Sequence, residues 1–179
     1  MPVKSKLAAP YLSHYVQPIW RSGTTDVRLA DLLKPERISV PIRATDKRAV
    51  LTELLGLLVG TGQPEFLDIL RSVEEREQVL STGIGRGVAI PHGKSRQVQE
   101  LQLAAGTSAA PVAFDALDGQ PVRIFFLLIG PEAATGESVK TLGRISRLVR
   151  EEPLRKRLLS ARDAGEFYRV LVEAERQVA

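Results

Sequence analysis

A tight-turn signal, Asp118-Gly119, constrains the fold of this sequence more than any other feature. Before it, apolar residues alternate at Val112 and Phe114, and after it comes a nearly continuous apolar stretch at residues 122–129. Two strand patterns joined by Asp-Gly are typical of an antiparallel hairpin. Helical patterns lie on both sides of this hairpin along the chain. We therefore predict an α/β fold in which helices flank both faces of a mixed, parallel and antiparallel sheet, rather than a purely parallel doubly wound sheet.

Two helices are predicted before the hairpin. Thr45 and Asp46 can cap free backbone N–H groups, and they precede apolar residues at helical spacing that extend through residues 50–58. A pair of glycines ends this first helix, and Pro64 suits the first turn of the second. Arg76 lies in the last turns of the second helix, directly before a glycine-rich segment.

Helical patterns also follow the hairpin. The first of them is predicted to bury one apolar face and to expose a basic face. The apolar face comprises Val139, Leu142, Ile145, Leu148 and Val149, and the basic face comprises Lys140, Arg144 and Arg147. A second helix is predicted over residues 154–159, and a third begins at Asp163, where Glu166 completes a capping box.

Composition favours one compact domain. Of 179 residues, 44% are hydrophobic, which is enough for a single core. We predict a basic N-terminal extension at residues 1–25, a domain at 26–175 and a C-terminal tail at 176–179. No apolar run has the roughly 18 residues that a membrane span needs, and no signal-peptide pattern is present, so we expect a cytoplasmic protein without membrane insertion.

Charge argues against nucleic acid as a partner. The formal charge is +4, but Lys4, Lys6 and Arg21 supply three of the 25 basic residues, and the remaining 22 face 21 acidic ones. A nearly neutral body does not favour nucleic-acid binding. Cysteine is absent, and the sequence contains only two histidines, His14 and His92. We therefore expect no metal site and no cofactor.

The stretch at residues 81–94 carries the candidate chemistry. Its glycines allow a close backbone approach to an anion, its two hydroxyl residues add donors, and an apolar run reads as a strand that delivers His92 to its end. The candidate phosphate-binding residues are Ser81, Thr82, Gly83, Gly85 and Gly87. Imidazole has a pKa near 6.5 and offers a nitrogen lone pair to phosphorus, and Arg76 is a cation whose planar fork suits phosphate.

Other interpretations of this stretch were weighed by spacing. Gly93-Lys94-Ser95 ends like a nucleotide-binding P-loop, but the required first glycine is replaced by Val88. The glycines are also spaced G-x-G-x-G, which does not fit a dinucleotide fingerprint. A helix-to-strand turn followed by an ordinary polar histidine stays open as a structural explanation.

Longer motifs make the chain resemble a known family, the type-2 IIA components of the phosphoenolpyruvate-dependent sugar phosphotransferase system, especially their nitrogen-regulatory, PtsN-like branch. The matching motifs are Leu32-Leu33-Lys34-Pro35-Glu36-Arg37, Arg76-Glu77, Ser81-Thr82-Gly83-Ile84-Gly85, Val88-Ala89-Ile90-Pro91-His92-Gly93, Pro111-Val112-Ala113-Phe114-Asp115-Ala116 and Asp118-Gly119-Gln120-Pro121-Val122. The resemblance covers roughly residues 27–172.

The resemblance implies a mixed sheet between helices and a phosphoryl acceptor at His92, supplied by an HPr-like carrier protein, with Arg76 close by. It also implies a downstream partner, either a regulatory target or a IIB component. One departure is Ser138, which stands where the family usually has a second histidine. A serine can donate a hydrogen bond but cannot become an imidazolium, so Ser138 weakens the expectation of onward transfer.

Three functional hypotheses follow. The first is a stand-alone IIA-type phosphocarrier in a regulatory role. The second is a regulatory module that binds target proteins without passing the phosphoryl group on, because phosphorylation alone changes the charge near His92. The third is an anion- or nucleic-acid-binding surface that combines Arg86, Lys94 and Arg96 with the basic extension.

Overall fold

A computed structural model describes residues 27–178 of the chain. The extension predicted at residues 1–25 lies outside the described residues, and the predicted domain boundaries stay predictions. Within the described part, none of the helices combines the length and the apolar character needed to cross a bilayer.

One mixed sheet forms the centre of the described chain. Its strands are β1 (Ile38–Ile42), β2 (Gly83–Gly85), β3 (Val88–Ala89), β4 (His92–Lys94), β5 (Gln102–Val112) and β6 (Val122–Gly130). The order is β1-β5-β6-β3-β2, and β4 also pairs with β6. β5 and β6 are antiparallel, whereas β1 is parallel to β5, and β3 and β4 are parallel to β6. The predicted hairpin and the predicted mixed sheet are confirmed.

Helices cover both faces of this sheet. They are α1 (Leu29–Leu32), α2 (Lys47–Gly56), α3 (Phe66–Val79), α4 (Thr135–Leu148), α5 (Glu152–Ser160) and α6 (Ala164–Val178), with a 3-10 turn at Pro35–Arg37. The two aspartate caps are confirmed, since the Asp46 carboxylate accepts the Ala49 N–H and the Asp163 carboxylate accepts the Glu166 N–H. The capping box is only half formed, because the Glu166 carboxylate accepts the Arg162 N–H and not the Asp163 N–H. These bonds satisfy backbone donors that have no partner inside the helix.

Strand β6 explains why the run after Asp118-Gly119 is apolar at nearly every position. Ile124, Phe126 and Leu128 pack into a core with α1, α4, α5 and α6, whereas the side chains that alternate with them pack into a second core with α2 and α3. Successive strand residues point to opposite faces, so a strand covered on both sides must be apolar throughout. Burial of each large side chain contributes about 1.5–3 kcal/mol, which places β6 at the centre of the stability of the domain.

The structure corrects the predicted faces of α4. Its buried residues include Thr141, Ile145 and Leu148, whereas Val139 is 63% exposed. Val139 lies about a third of a turn away from the line of Ile145 at 100° per residue, so it cannot share the buried stripe. Arg144 was predicted on a solvated face, but its guanidinium pairs with the buried Glu175 carboxylate of α6 at 3.1 Å.

The stretch before His92 also differs from its prediction. Instead of one strand that ends in the histidine, β3 stops at Ala89 and His92 begins β4. Pro91 has no N–H to donate to a ladder, although its carbonyl accepts the Leu128 N–H at 3.0 Å. The break places His92 opposite Leu128 in the parallel register with β6.

Candidate functional site

Close packing of α3 on β4 positions the candidate histidine. A Cβ atom on Gly93 would lie 2.7 Å from the Val73 Cγ2 atom and 3.2 Å from the Val73 N atom, so only glycine allows this approach. Directly before Val73, the Ser72 hydroxyl donates to the Lys94 carbonyl at 2.7 Å and accepts the Lys94 N–H at 3.2 Å. The helix is thereby fixed along the strand that begins with His92.

Two hydrogen bonds define the state of the His92 imidazole. Its Nδ1 lies 3.0 Å from the Ile90 carbonyl oxygen, which can only accept, so Nδ1 carries the proton. Its Nε2 lies 3.1 Å from the Arg76 Nε atom, which can only donate. The ring is therefore the neutral tautomer with a lone pair on Nε2. Burial lowers the pKa of His92, and the nearby charge of Arg76 lowers it further, while the bond to the Ile90 carbonyl acts in the opposite direction.

Arg76 is oriented by the end of its own helix. Its Nη1 donates to the Leu80 carbonyl at 2.9 Å while its Nε faces His92. A cation in the last turn also interacts favourably with the negative end of the helix dipole. Among the described residues, Nη2 has no hydrogen-bond partner, so one side of the guanidinium fork is available to an anion beside Nε2.

The hydroxyl residues predicted to bind phosphate already have partners. The Ser81 hydroxyl donates to the Phe114 carbonyl at 2.8 Å and accepts the Gly83 N–H at 3.1 Å. Thr82 is buried, and both its N–H and its hydroxyl donate to Oε2 of Glu77. The phosphate-binding role of these three residues stays a prediction, but in this state their donors serve to hold the loop.

The two other predicted glycines form a left-handed turn. Gly85 and Gly87 have φ values of +88° and +73°, and Arg86 between them has +57°. The Asp118 carboxylate accepts the Arg86 N–H at 2.7 Å, which pins the turn against the loop that connects β5 to β6. These three residues therefore form the tight turn that connects the antiparallel strands β2 and β3.

Sequence analysis missed a buried acid that organises this region. Glu77 is 6% exposed, and besides Thr82 it accepts a bond from the Lys47 ammonium at 3.1 Å. Lys47 also pairs with Asp115 at 2.8 Å and lies 4.8 Å from the centre of the Phe114 ring. One signal could have found Glu77, because a carboxylate in the last turn of a helix is unfavourable with the helix dipole and needs another reason to be there.

Ser138 forms no hydrogen bond with His92 in the described residues. Its hydroxyl donates to the Ala134 carbonyl one turn earlier in α4, at 2.8 Å. Nearby, the Lys94 ammonium donates to the Thr135 hydroxyl at 2.8 Å and so joins β4 to the start of α4. Arg96, which the third hypothesis joined to Arg86 and Lys94, is paired with Glu132 at 3.0 Å.

Exposed apolar side chains follow Arg76 in the chain, close to the half-buried His92. Val79 and Leu80, which directly follow the turn of Arg76, are 81% and 57% exposed. A nearby cavity of about 560 Å³ is lined by Lys47, Glu77, Asp115 and neighbours, but not by His92. Within residues 27–178, no group of three or more histidine, aspartate or glutamate side chains could hold a metal ion. A half-buried acceptor beside exposed apolar side chains suits contact with another protein.

Comparison with known proteins gives consistent results. The model of the family described as "Phosphoenolpyruvate-dependent sugar phosphotransferase system, EIIA 2" matches residues 31–174. A nitrogen regulatory protein of Bradyrhizobium diazoefficiens is 37% identical over 144 residues, which are 80% of this chain and 94% of that protein.

Two solved structures have the same fold. The nitrogen regulatory protein IIA-Ntr of Neisseria meningitidis superposes with a TM-score of 0.74 at 32% identity, over 79% of this chain and 97% of that one. The mannitol IIA enzyme of Escherichia coli, determined in complex with phosphorylated mannitol IIB enzyme, gives 0.66 at 18% identity, over 79% and 97%.

Proposed function

This chain belongs to the EIIA 2 family of the phosphoenolpyruvate-dependent sugar phosphotransferase system, with nitrogen regulatory proteins among its relatives, and from that premise we propose that it is a phosphocarrier. In this proposal His92 accepts a phosphoryl group from an HPr-like carrier protein. The observation that carries the proposal is the neutral imidazole whose unprotonated Nε2 lies 3.1 Å from a guanidinium nitrogen of Arg76.

The proposed step is a phosphoryl transfer between two nitrogens. The Nε2 lone pair attacks the phosphorus of the donor phosphohistidine, the new N–P bond forms, and the donor N–P bond breaks with its electron pair returning to the donor ring. The Ile90 carbonyl keeps the Nδ1 proton in place and stabilises the positive charge that develops on the acceptor ring. Arg76 exchanges its bond to Nε2 for bonds to the phosphoryl oxygens.

We also propose that the role is regulatory. The chain contains no cysteine that could serve as a IIB active site, and its identity to nitrogen regulatory proteins exceeds that to the mannitol IIA enzyme. Phosphorylation adds about −1.5 to −2 charge beside the exposed Val79 and Leu80, which changes the partners that this surface can bind. A regulatory target or a IIB component is the downstream partner.

The test is transfer with purified components. The chain is incubated with phosphoenolpyruvate, enzyme I and HPr, and intact-mass analysis looks for one acid-labile phosphoryl group. His14→Ala is the matched control, since it removes the only other histidine, and it should be labelled like the parent. His92→Ala should not be labelled, and phosphorus NMR of the parent adduct should place the group on Nε2. Labelling of His92→Ala would refute the proposal.

A second candidate is a binding module that holds its phosphoryl group without passing it on. Ser138 favours it, because a serine bonded to the Ala134 carbonyl cannot act as a second imidazolium. The two functions differ in the lifetime of the adduct when downstream partners from the same organism are added. Rapid loss supports a transferring carrier, whereas a stable adduct whose loss is accelerated by Ser138→His supports the binding module.

A further inference from the structure

A second anion-binding position is suggested by a cavity on another part of the domain. The cavity has a volume of about 290 Å³ and lies between the hairpin of β2 and β3 and the junction of α4 with α5. Its lining residues are Ile84, Gly85, Arg86, Ser146, Val149 and Arg150. Neither His92 nor Arg76 lines it, so it is separate from the proposed phosphoryl acceptor.

Two guanidinium groups at this cavity have no acidic partner there. The lining contains no aspartate or glutamate. Arg86 donates through Nη1 to the Arg150 backbone carbonyl at 3.2 Å, which brings its side chain to the α4–α5 junction. Among residues 27–178, neither guanidinium forms an ion pair, and the Ser146 hydroxyl has no hydrogen-bond partner. Two guanidinium groups that form no ion pair, one of which uses only Nη1 for a backbone bond, and a hydroxyl without a partner form a suitable donor set for a phosphate group.

The backbone at Arg86 supports a role for its side chain. The residue has φ of +57° between two glycines that are also left-handed, a conformation that non-glycine residues other than Asn and Asp rarely adopt. Glycine would fit this position without strain. The Asp118 carboxylate accepts the Arg86 N–H and so stabilises this backbone conformation, while the bond from Nη1 to the Arg150 carbonyl directs the side chain to the cavity.

The apolar part of the lining indicates the kind of ligand. Ile84, which is 40% exposed, and Val149 provide a hydrocarbon wall beside the two arginines. The volume is at the lower end of the range of small-molecule sites. We propose that this cavity binds a small organic phosphate, with its phosphate group on Arg86 and Arg150 and its carbon skeleton against Ile84 and Val149.

The test uses phenyl phosphate as the probe and amide NMR of the full chain as the readout. Saturable shifts are expected at Gly85, Arg86, Ser146 and Val149, and not at the amides around His92. Inorganic phosphate, which lacks the ring, should bind more weakly at the same amides, and phenol, which lacks the charge, should cause no saturable shift there. This comparison separates the phosphate contact from the apolar contact.

Variants then assign the contact to the two arginines. Arg86→Asn keeps a side chain that tolerates the left-handed backbone, and Arg150→Gln changes a solvent-exposed position, so both should fold. Each should weaken phenyl phosphate by about tenfold or more, as expected for the loss of one charge-assisted contact. Arg147→Gln is the matched control, because it removes the same charge from the same end of α4 without lining the cavity, and it should change affinity less than about twofold.

Three results would overturn the proposal. One is the absence of saturable shifts at about 10 mM probe, which corresponds to binding too weak to be specific. Another is equal weakening by Arg147→Gln, which would indicate general attraction to a basic surface. The third is a set of shifts centred on His92. Because none of these measurements requires phosphorylation of His92, their failure leaves the phosphocarrier proposal unaffected.

Discussion

At the scale of single residues, the candidate site depends on the protonation of one ring. Burial and the charge of Arg76 lower the pKa of His92 below its ordinary value near 6.5. The neutral ring is the form that can attack phosphorus, so the site holds its acceptor ready at neutral pH and below it. When the pH is lowered, a histidine with an ordinary pKa becomes protonated, and so unable to attack, at a higher pH than His92 does.

Protonation of His92 should therefore be visible in stability. When the folded pKa lies below the unfolded one, the unfolded state binds more protons, so the free energy of unfolding falls as pH falls through about 6.5. We expect the stability of the parent relative to His92→Gln to be greatest above this pH and to decline below it. Urea unfolding of both proteins between about pH 5 and pH 8 measures the difference. A difference that stays constant, or grows as pH falls, would contradict the lowered pKa.

The shape of the Arg76 side chain should matter as much as its charge. Lysine cannot keep a bond to the Leu80 carbonyl while it also bonds the phosphoryl oxygens in a fixed geometry, because it lacks the rigid planar fork. We expect Arg76→Lys to slow labelling of His92 by about 10- to 100-fold. The rate of phosphoryl transfer from HPr measures this, with Arg71→Lys on the exposed side of α3 as the control at the parent rate. Equal rates for both variants would remove Arg76 from the chemistry.

At the scale of elements, the site is produced by one helix lying unusually close to one short strand. Gly93 permits this approach, and the Ser72 hydroxyl fixes the position of α3 along β4. The next turn of the helix then carries Arg76 to His92. The distance between the two groups is therefore set by backbone packing and not by the two side chains alone.

A methyl group at the α3–β4 contact tests this dependence. In Gly93→Ala the new Cβ would meet Val73 at 2.7 Å, so the helix must shift. We expect a loss of about 1–3 kcal/mol of stability, as is typical of overpacking, and slower labelling of His92 in the protein that remains folded. Thermal unfolding and the labelling rate measure the two effects. Gly136→Ala, where an added Cβ meets nothing within 4 Å, is the control. Normal labelling of a destabilised Gly93→Ala protein would show that the spacing is not critical.

Local signals predicted most elements, and distant partners explain the failures. The capping residues Asp46 and Asp163, the Asp-Gly turn and the apolar run of β6 act within a few residues, and each is confirmed. The faces of α4 could not be predicted, because Arg144 pairs with the buried Glu175, which lies 31 residues away. Glu77 was missed for the same reason, since Lys47 and Asp115 join it only after folding. Longer motifs pointed to Arg76 and His92 as candidate site residues. The hydrogen bond between them could not be predicted, because it depends on how α3 packs on β4.

At the scale of the whole molecule, the sheet separates the candidate site from the core that contains α1, α4, α5 and α6. α3 and the site lie on one face, and the helices of the other core lie on the opposite face. There, the buried Glu175 of α6 accepts the N–H groups of Leu29 and Ala30 at 2.7 and 3.1 Å and pairs with Arg144. One carboxylate thus joins the first, fourth and last helices of the described chain.

Loss of this carboxylate should affect stability without affecting chemistry. Glu175→Ala removes the acceptor of two buried or partly buried backbone N–H groups and one ion-pair partner of Arg144, and we expect a cost of about 3 kcal/mol in the free energy of unfolding. The fraction that remains folded should accept a phosphoryl group on His92 at the parent rate, because the sheet lies between the two regions. Urea unfolding and the labelling rate per folded molecule measure the two quantities, and the exposed Glu173→Ala is the matched control on the same helix. Slower labelling of folded Glu175→Ala protein would show that the two faces are coupled through the sheet. A small stability loss, or an equal loss in both variants, would show that Glu175 does not join the helices.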